Sequence, residues 1–506
     1  MLKLIKGLYN KKVSSKGLAI FRILFSSTLF FEVLRIYNYK ELYYGAFPNL
    51  EVSSSITVGL QAWLLVLIFL AFGFLSKIMT ILNYALALFL LSQFQGLIYH
   101  MAYTYLGIGF LMMLFPLSKS FSIDALLKIK YKVTSSSDTK VTVLAYYLFV
   151  LVGIGFVYID SIFFKLKTEV WMNGTGMWLP ASLPHFTILK DQWLLNQKYL
   201  LLFFGYLTIV FEAIFCFLFF RKRFRIPLLI IGLGLHIGIL IEFPIPYFAM
   251  GAIGVYMLLV PLKFWEIIPI FNIKTEKLKP AENPSSVTKF FNLLYFSGFS
   301  KKLEVTGYTI IIVMLLLLQF NSTFNFPASK PIERKALEIS AKFEPFFYHL
   351  KQFKEKGRKF SKRYLGITAH GVFVDSHYNG FEKIYTLSYQ DKLLPIYSNQ
   401  GIPKRYLSSG SWVHYNFRVN RHVEKQTTKN LKDGLSRYAI YWSLENDIDL
   451  NNTEFDVLEK KVHYTFKWEK DLLQKNLSEP WNPSGILTFK YGKARLTLDK
   501  PLKNDN

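Results

Sequence analysis

The chain has 506 residues, 52% hydrophobic and 17% aromatic, yet it carries 60 Lys plus Arg against 34 Asp plus Glu, a formal charge of +26. A positive mean hydropathy alongside so many charges requires apolar and charged residues to lie in separate blocks, the composition of a membrane protein with charged loops. The lone cysteine, Cys216, excludes an internal disulfide, a cysteine redox pair and a Cys-rich metal site, and the absence of a basic helix, zinc-knuckle spacing or RNA-binding signature argues against a nucleic-acid partner.

Five lysines lie between Met1 and Lys16, and the apolar run that follows continues into "FEVLRIY" with no small-residue cleavage site, so it reads as a retained span. Nine runs approach the roughly 20 residues that cross a bilayer: near 17–36, 58–76, 78–98, 100–117, 141–160, 199–220, 226–241, 247–262 and 307–320. Lys and Arg near span ends tend to stay cytoplasmic. A cytoplasmic N-terminus puts "KKVSSK", Lys77, the loop with Lys119, Lys128, Lys130 and Lys132, "RKRFR" at 221–225 and the lysine-rich 263–302 on the inner side. The opposite loops, near 37–57, 98–100 and 242–246, are poor in basic residues. Nine spans then leave the segment around Lys165, and the whole of 321–506, extracytoplasmic, whereas eight would flip the last block.

The boundary between a helical membrane domain, 1–320, and a second domain, 321–506, is marked by a change of pattern. The later block opens on an amphipathic stretch, "IERKALEISAKFEPFFYHL", and turns to short alternating segments, "GVFVDS", "KIYTLSYQ", "RYAIYWSLE" and "VHYTFKW". "ILTFKYGKARLTLD" reads as two strands around a glycine turn. The expected architecture is therefore a bundle of about nine membrane helices followed by a β-rich extracytoplasmic domain, a small sandwich docked on the outer helix ends.

Ionisable groups in or beside the spans are expensive, and each needs a partner or a task. They are Arg22, Glu32, Arg35, His100, Lys165, Glu212 and His236. Arg22 reads as a snorkelling or structural residue, with Glu212 as its partner or another span's. His100 sits at a tight turn beside Tyr99, Tyr103 and Tyr105, either as an interface anchor or with a chemical role. His236, in "LGLGLHIGILIEF", is either a helix-to-helix hydrogen bond or a pocket residue. A metal shared by His100 and His236 would need a third ligand, and no HxxxH or HExxH pattern supplies one. In "TAHGVFVDSHYNG", strand alternation sets His370 opposite Asp375 and His377, which favours a solvated loop-and-strand reading.

Lys165 has two readings. Lysines commonly end membrane helices and reach headgroups. Here the glycine-rich "NGTG" and two tryptophans follow at once, and Phe163 and Phe164 offer low-dielectric surroundings that disfavour the charged amine. A neutral lysine is a base.

The order "SSKGLAIFRILFSS", "GLIYHMAYTYLGIGFLMML", "GFVYIDSIFFKLKTEVWMNGTGM" and "LGLHIGILIEFPIPYFAMGAIGVYMLLV" resembles the vitamin K-dependent γ-glutamyl carboxylases and their wider membrane-domain family. The likeness runs diffusely from about residue 14 to about 400 and is sharpest at Lys165–Leu166 with Trp171 and Gly174, and at His100. The resemblance implies that Lys165 acts as weak base on reduced vitamin K or another naphthoquinol, and that His100 assists carboxylation. His236, Tyr99 and Trp171 would line the cofactor site, with Arg22 and Glu212 in support. It also implies oxygen and carbon dioxide as co-substrates, no metal, a secreted peptide or protein as substrate, and a bacterial inner-membrane location. The chain departs from the family in carrying Tyr99 where an asparagine is usual and Phe164 where a second lysine is usual. A non-redox membrane partner in peptide maturation or export, and a transporter, are the other readings.

Overall fold

The computed structural model describes residues 2–94, 100–130, 139–267, 300–323, 354–404, 419–420, 426–451 and 453–502. The expected amphipathic stretch at 332–350 lies outside the described residues.

The chain opens on helix α1 (Leu2–Asn10), which buries Ile5 and Tyr9 and leaves Leu2 and Leu4 exposed. Strand β1 (Lys12–Ser14) leads into α2 (Lys16–Asn38), then α3 (Ser54–Phe72), α4 (Ser76–Ser92) and α5 (His100–Leu114). Strand β2 (Lys140–Thr142) pairs antiparallel with β1 and starts α6 (Val143–Lys165). Helices α7 (Lys198–Leu218), α8 (Arg225–Glu242), α9 (Pro246–Tyr256) and α10 (Lys301–Thr323) complete the apolar set.

Each of the nine expected runs coincides with a helix, but among the described residues six are long and apolar enough to cross a membrane: α2, α3, α6, α7, α10 and α8 with its preceding turn. Helices α4, α5 and α9 are shorter. The 17 residues of α4 rise about 25 Å, short of a hydrocarbon core about 30 Å thick, so nine full spans are not what the structure shows.

Burial separates centre from rim. In α2 and α6, 61% and 67% of the apolar window is buried, against 22–33% in α3, α7, α8 and α10. The two central helices are enclosed, and the others turn residues such as Val58, Phe72, Phe203, Phe217, Ile230 and Leu317 outward as an apolar belt. Helix α6 contains one wide π turn, Leu151–Gly155, where the Gly155 carbonyl accepts a hydrogen bond from Cys216 Sγ of α7 at 2.8 Å.

The later block holds β3 (Lys383–Tyr389), β4 (Lys392–Leu393), α11 (Thr428–Glu445), β5 (Glu454–Lys461), α12 (Leu472–Ser478), β6 (Asn482–Lys490) and β7 (Lys493–Leu498). The strands form one antiparallel sheet in the order β4-β3-β5-β6-β7. The expected sandwich is thus, among the described residues, a single sheet against which α11 packs, with Leu431, Leu435 and Tyr438 joining Leu387, Phe455 and Leu487 in the core. "RYAIYWSLE", expected as a strand, is the end of α11, because the helix begins upstream, where the Thr427 hydroxyl oxygen accepts the Asn430 backbone N–H, and it buries residues at helical spacing. "GVFVDS" and "VHYTFKW" are irregular, and the central strand β5 had no counterpart in the expected set.

This block docks on the helix ends remote from α1. Arg437 Nη1 donates to Gly45 O at 2.7 Å, Trp171 Nε1 to Phe373 O at 2.6 Å, Trp468 Nε1 to Leu195 O at 3.1 Å and Asn476 Nδ2 to Ser182 O at 3.2 Å. The tightest approach is at Gly366, whose φ is +66° and where a Cβ would lie 1.7 Å from Tyr103 O. Gly366→Ala is expected to lower stability by about 3 kcal/mol through strain and a backbone clash, read by denaturant unfolding of the purified protein.

Candidate functional site

Lys165 closes α6 and turns inward. Its side chain is 6% exposed, and Nζ donates to Glu212 Oε1 of α7 at 2.5 Å, with the Glu212 side chain 5% exposed. The ring over the amine is that of Trp171, 4.1 Å from Nζ to the centroid. Trp171 takes the covering place expected of Phe163 and Phe164, and Phe164 lies beside Gly371 of the later block. Trp171 reaches its place because Gly176 lies under the indole, where a Cβ would sit 2.4 Å from ring atoms. The segment after Lys165 does fold back across the helix ends: it buries Val170, Trp171, Trp178 and Leu179 in a core shared with Tyr378, Leu472 and Leu473.

Further apolar helix faces add polar groups. Tyr158 lies seven residues before Lys165, two helical turns back on the same face. Its hydroxyl shares a 2.5 Å hydrogen bond with that of Tyr256, and both interact electrostatically with Glu212. Phe211 and Phe215 pack edge-on against Tyr158. His236 is 3% exposed, with its ring 5.3 Å from Tyr256 and 5.6 Å from Phe248. Its Nδ1 lies 3.0 Å from Gly232 O. A carbonyl only accepts, so Nδ1 carries the proton and, in the neutral ring, Nε2 is the acceptor.

Lys165, Glu212, Trp171 and His236 are thus gathered around one buried cluster to which the sequence reading had not added Tyr158 and Tyr256. Tyr99 and the His100 side chain lie outside the described residues. Arg22 is elsewhere and is not Glu212's partner: fully buried, it donates through Nη1 to Leu117 O at 2.8 Å and through Nη2 to Ala71 O at 3.3 Å and Phe121 O at 2.5 Å. Three carbonyls hold this guanidinium, so its position is structural. Glu32 and Arg35 pair with each other at 2.5 Å, and Arg35 Nη1 also donates to Tyr43 Oη at 2.6 Å.

The segment at 370–377 holds no strand and is half-buried, with Ser376 exposed. His370 is buried, with its backbone N–H donating to Asp160, and Asp375 accepts from the Glu169 and Val170 backbone N–H groups at 2.8 and 3.0 Å. Among the described residues no three His, Cys, Asp or Glu side chains gather as a metal cluster would.

A buried ammonium–carboxylate pair has two accessible forms. In water the charged form dominates, whereas in a low-dielectric site the desolvation cost of two ions offsets much of their attraction. Glu212 Oε2, the other oxygen of that carboxylate, has no hydrogen-bond partner among the described residues.

His185, between α6 and α7, lies against Phe186, and burial pushes its pKa down to about 3 from 6.5. Protons therefore bind the unfolded chain first: stability is full above pH 6.5 and falls as pH drops towards 3. Between pH 7 and pH 5 the loss is expected to be about 2 kcal/mol. His185→Leu should flatten that part of the stability profile, measured by unfolding at each pH.

No family model, curated protein or solved structure matches the chain.

Proposed function

We propose that this chain is a membrane enzyme of the γ-glutamyl carboxylase kind, acting on a reduced naphthoquinone-type quinol with Lys165 as base. The observation that carries the reading is the inward, buried Lys165 amine hydrogen-bonded to Glu212 beneath Trp171. In support, Trp171 lies over the amine, Phe248 and Tyr256 flank the His236 ring, and Glu212 Oε2 is an acceptor without a donor among the described residues. When bound, the quinol would supply the electrons and, with oxygen, the oxidation that drives carboxylation of a glutamyl side chain by carbon dioxide.

The chain's own residues would handle the proton and the water. Glu212 holds the proton that leaves Lys165 as a neutral amine. The amine then takes a hydroxyl proton. Neutral His236 offers Nε2 as a second acceptor, fixed by its Nδ1 hydrogen bond. Burial of the pair under Trp171 and the docked later block keeps out the water that would quench a strong base. His100 is assigned to the carboxylation half by the family resemblance alone.

A cytoplasmic N-terminus and an extracytoplasmic later block, in a bacterial inner membrane, belong to the same proposal. In support, the basic segments near 12, 140 and 301 share one helix end: β1 pairs with β2, and the Tyr9 hydroxyl donates to Glu304. The later block docks at the other end.

The test is mass spectrometry of quinones after purified membranes receive reduced naphthoquinone, oxygen and labelled bicarbonate. A quinone epoxide that depends on this chain is expected, and label in protein would separate carboxylase from oxygenase. Without epoxide the quinol reading fails, and a binding partner in peptide maturation becomes the better account.

A further inference from the structure

Helix α1 is fastened where two of the membrane-length helices begin. At the start of α6, the Thr142 hydroxyl donates to Leu8 O at 3.0 Å and the Val143 N–H to Lys11 O at 2.9 Å. In the first turn of α10, Glu304 accepts from the Tyr9 hydroxyl, and the Tyr308 ring lies 5.8 Å from that of Tyr9. Helix α1 therefore sits at the level where α6 and α10 enter the apolar belt, which in a bilayer is the headgroup level.

The protein covers only part of the apolar side of α1. At about 100° per residue, Leu4, Leu8, Ile5, Tyr9 and Leu2 share one half of the helix, and Lys3, Lys6 and Asn10 the other. Ile5 and Tyr9 are buried against the bundle, whereas Leu2 and Leu4 are 56% and 66% exposed. Next to these leucines stands a block of positive charge. Lys3, Lys6, Lys11 and Lys12 are exposed, and so are Lys301 and Lys302 where α10 starts. Glu304 is the one carboxylate in α1, β1 and the first turn of α10, and Tyr9 already holds it. No acid pairs with Lys3, Lys6 or Lys11 among the described residues.

Uncovered leucine beside unmatched lysine, at headgroup level, selects among partners. A soluble acidic macromolecule would meet the charge and leave the leucines in water. A zwitterionic lipid would take up the leucines and leave the charge unmatched. An anionic phospholipid answers both, because its acyl boundary receives apolar side chains and its headgroup attracts lysine. We propose that α1 is an interfacial anchor that selects anionic phospholipid, with Leu2 and Leu4 in the acyl boundary and the neighbouring lysines on headgroup phosphates. Through the bonds to Thr142, Val143 and Glu304, the anchor also holds the entries of α6 and α10 at the membrane surface. It does not depend on the quinol reading, and its test needs no activity.

The experiment places the full chain, carrying Cys216→Ser and a bimane fluorophore on Leu4→Cys, in nanodiscs. The discs contain phosphatidylglycerol or phosphatidylcholine with brominated acyl chains, at equal mole fraction, and bromine quenches the fluorophore on contact. From quenching, the anionic lipid is expected to bind beside Leu4 about fivefold or more tightly than the neutral one, the contribution of a single lysine near a charged surface. The preference should fall towards unity in about 1 M NaCl, where the screening length is about 3 Å, and in Lys3→Gln with Lys6→Gln. A fluorophore on Asn10→Cys, about 120° round the helix from Leu4, should be quenched by aqueous iodide instead. Equal quenching by the two lipids, or a preference unchanged in the glutamine variant, would overturn the anionic selection. Quenching of the Leu4 position by iodide alone would put the leucines in water and overturn the anchor. Should Cys216→Ser not fold, the label is read with Cys216 in place and corrected by the signal of the chain without Leu4→Cys.

Discussion

Glu212→Leu is expected to cost about 3–5 kcal/mol of stability, because it strands the Lys165 ammonium in a buried site with its counter-charge gone. The pair is separated from solvent on both sides, at 6% and 5% side-chain exposure, so water cannot take over the role of the carboxylate without opening the seam. Lys165→Met should cost a comparable amount by leaving the carboxylate alone. The double variant Lys165→Met with Glu212→Leu removes both ions, and a buried pair replaced by apolar side chains is often close to neutral. A double-mutant cycle on reversible unfolding in detergent is therefore expected to show strong coupling, with the double variant more stable than either single one. Additive losses would mean that the two side chains do not share a pair in the folded protein.

Activity gives the second large effect. Lys165→Arg keeps a cation beside Glu212 but cannot lose its proton at any working pH. Removing a general base typically costs about 10²–10⁴-fold in rate, so Lys165→Arg and Lys165→Met should both lose epoxide formation by at least about 100-fold. Lys165→Arg should meanwhile retain most of the fold's stability. Full epoxidation by the arginine variant would leave the lysine as a structural cation. The split between stability and turnover separates a base from an ion-pair strut, and a merely structural lysine would not produce it.

The apolar runs are legible because lipid asks for long stretches of one residue class, and each run does become a helix. Length is less legible. Helix α4 ends at Ser92, at a point inside the run near 78–98 that composition alone does not mark. In the later block, "RYAIYWSLE" alternates like a strand over nine residues, and only the Thr427 cap and the buried Leu431 and Leu435 upstream show the helical period. A window that starts at Arg437 misses all three.

Lys165 could be singled out because a lysine beside "NGTG" breaks an apolar pattern. Glu212 could be singled out too, but not as its partner, since the two are 47 residues apart and pairing across helices leaves no local trace. Tyr256 is further still, 98 residues from Tyr158. Arg22 was open between snorkelling and a structural role because an arginine satisfied by backbone carbonyls has no partner side chain for a sequence to display. Asp160 sits in the quoted "YIDSIFF" but passes for a helix-end polar residue until α10 and His370 are brought against it.

The docking of the later block also sets an order of events during synthesis. Trp171 and the backbone N–H groups of Glu169 and Val170 find their acceptors on Phe373 and Asp375, about 200 residues downstream. Helices α6 and α7 are thus inserted long before the groups that finish their outer ends exist. Until the ribosome has passed 375 and that stretch has docked on the helix ends, the first half of the chain waits with its indole and its Asp160 carboxylate uncovered. A truncated helical half is the form in which quality-control proteases would meet this protein.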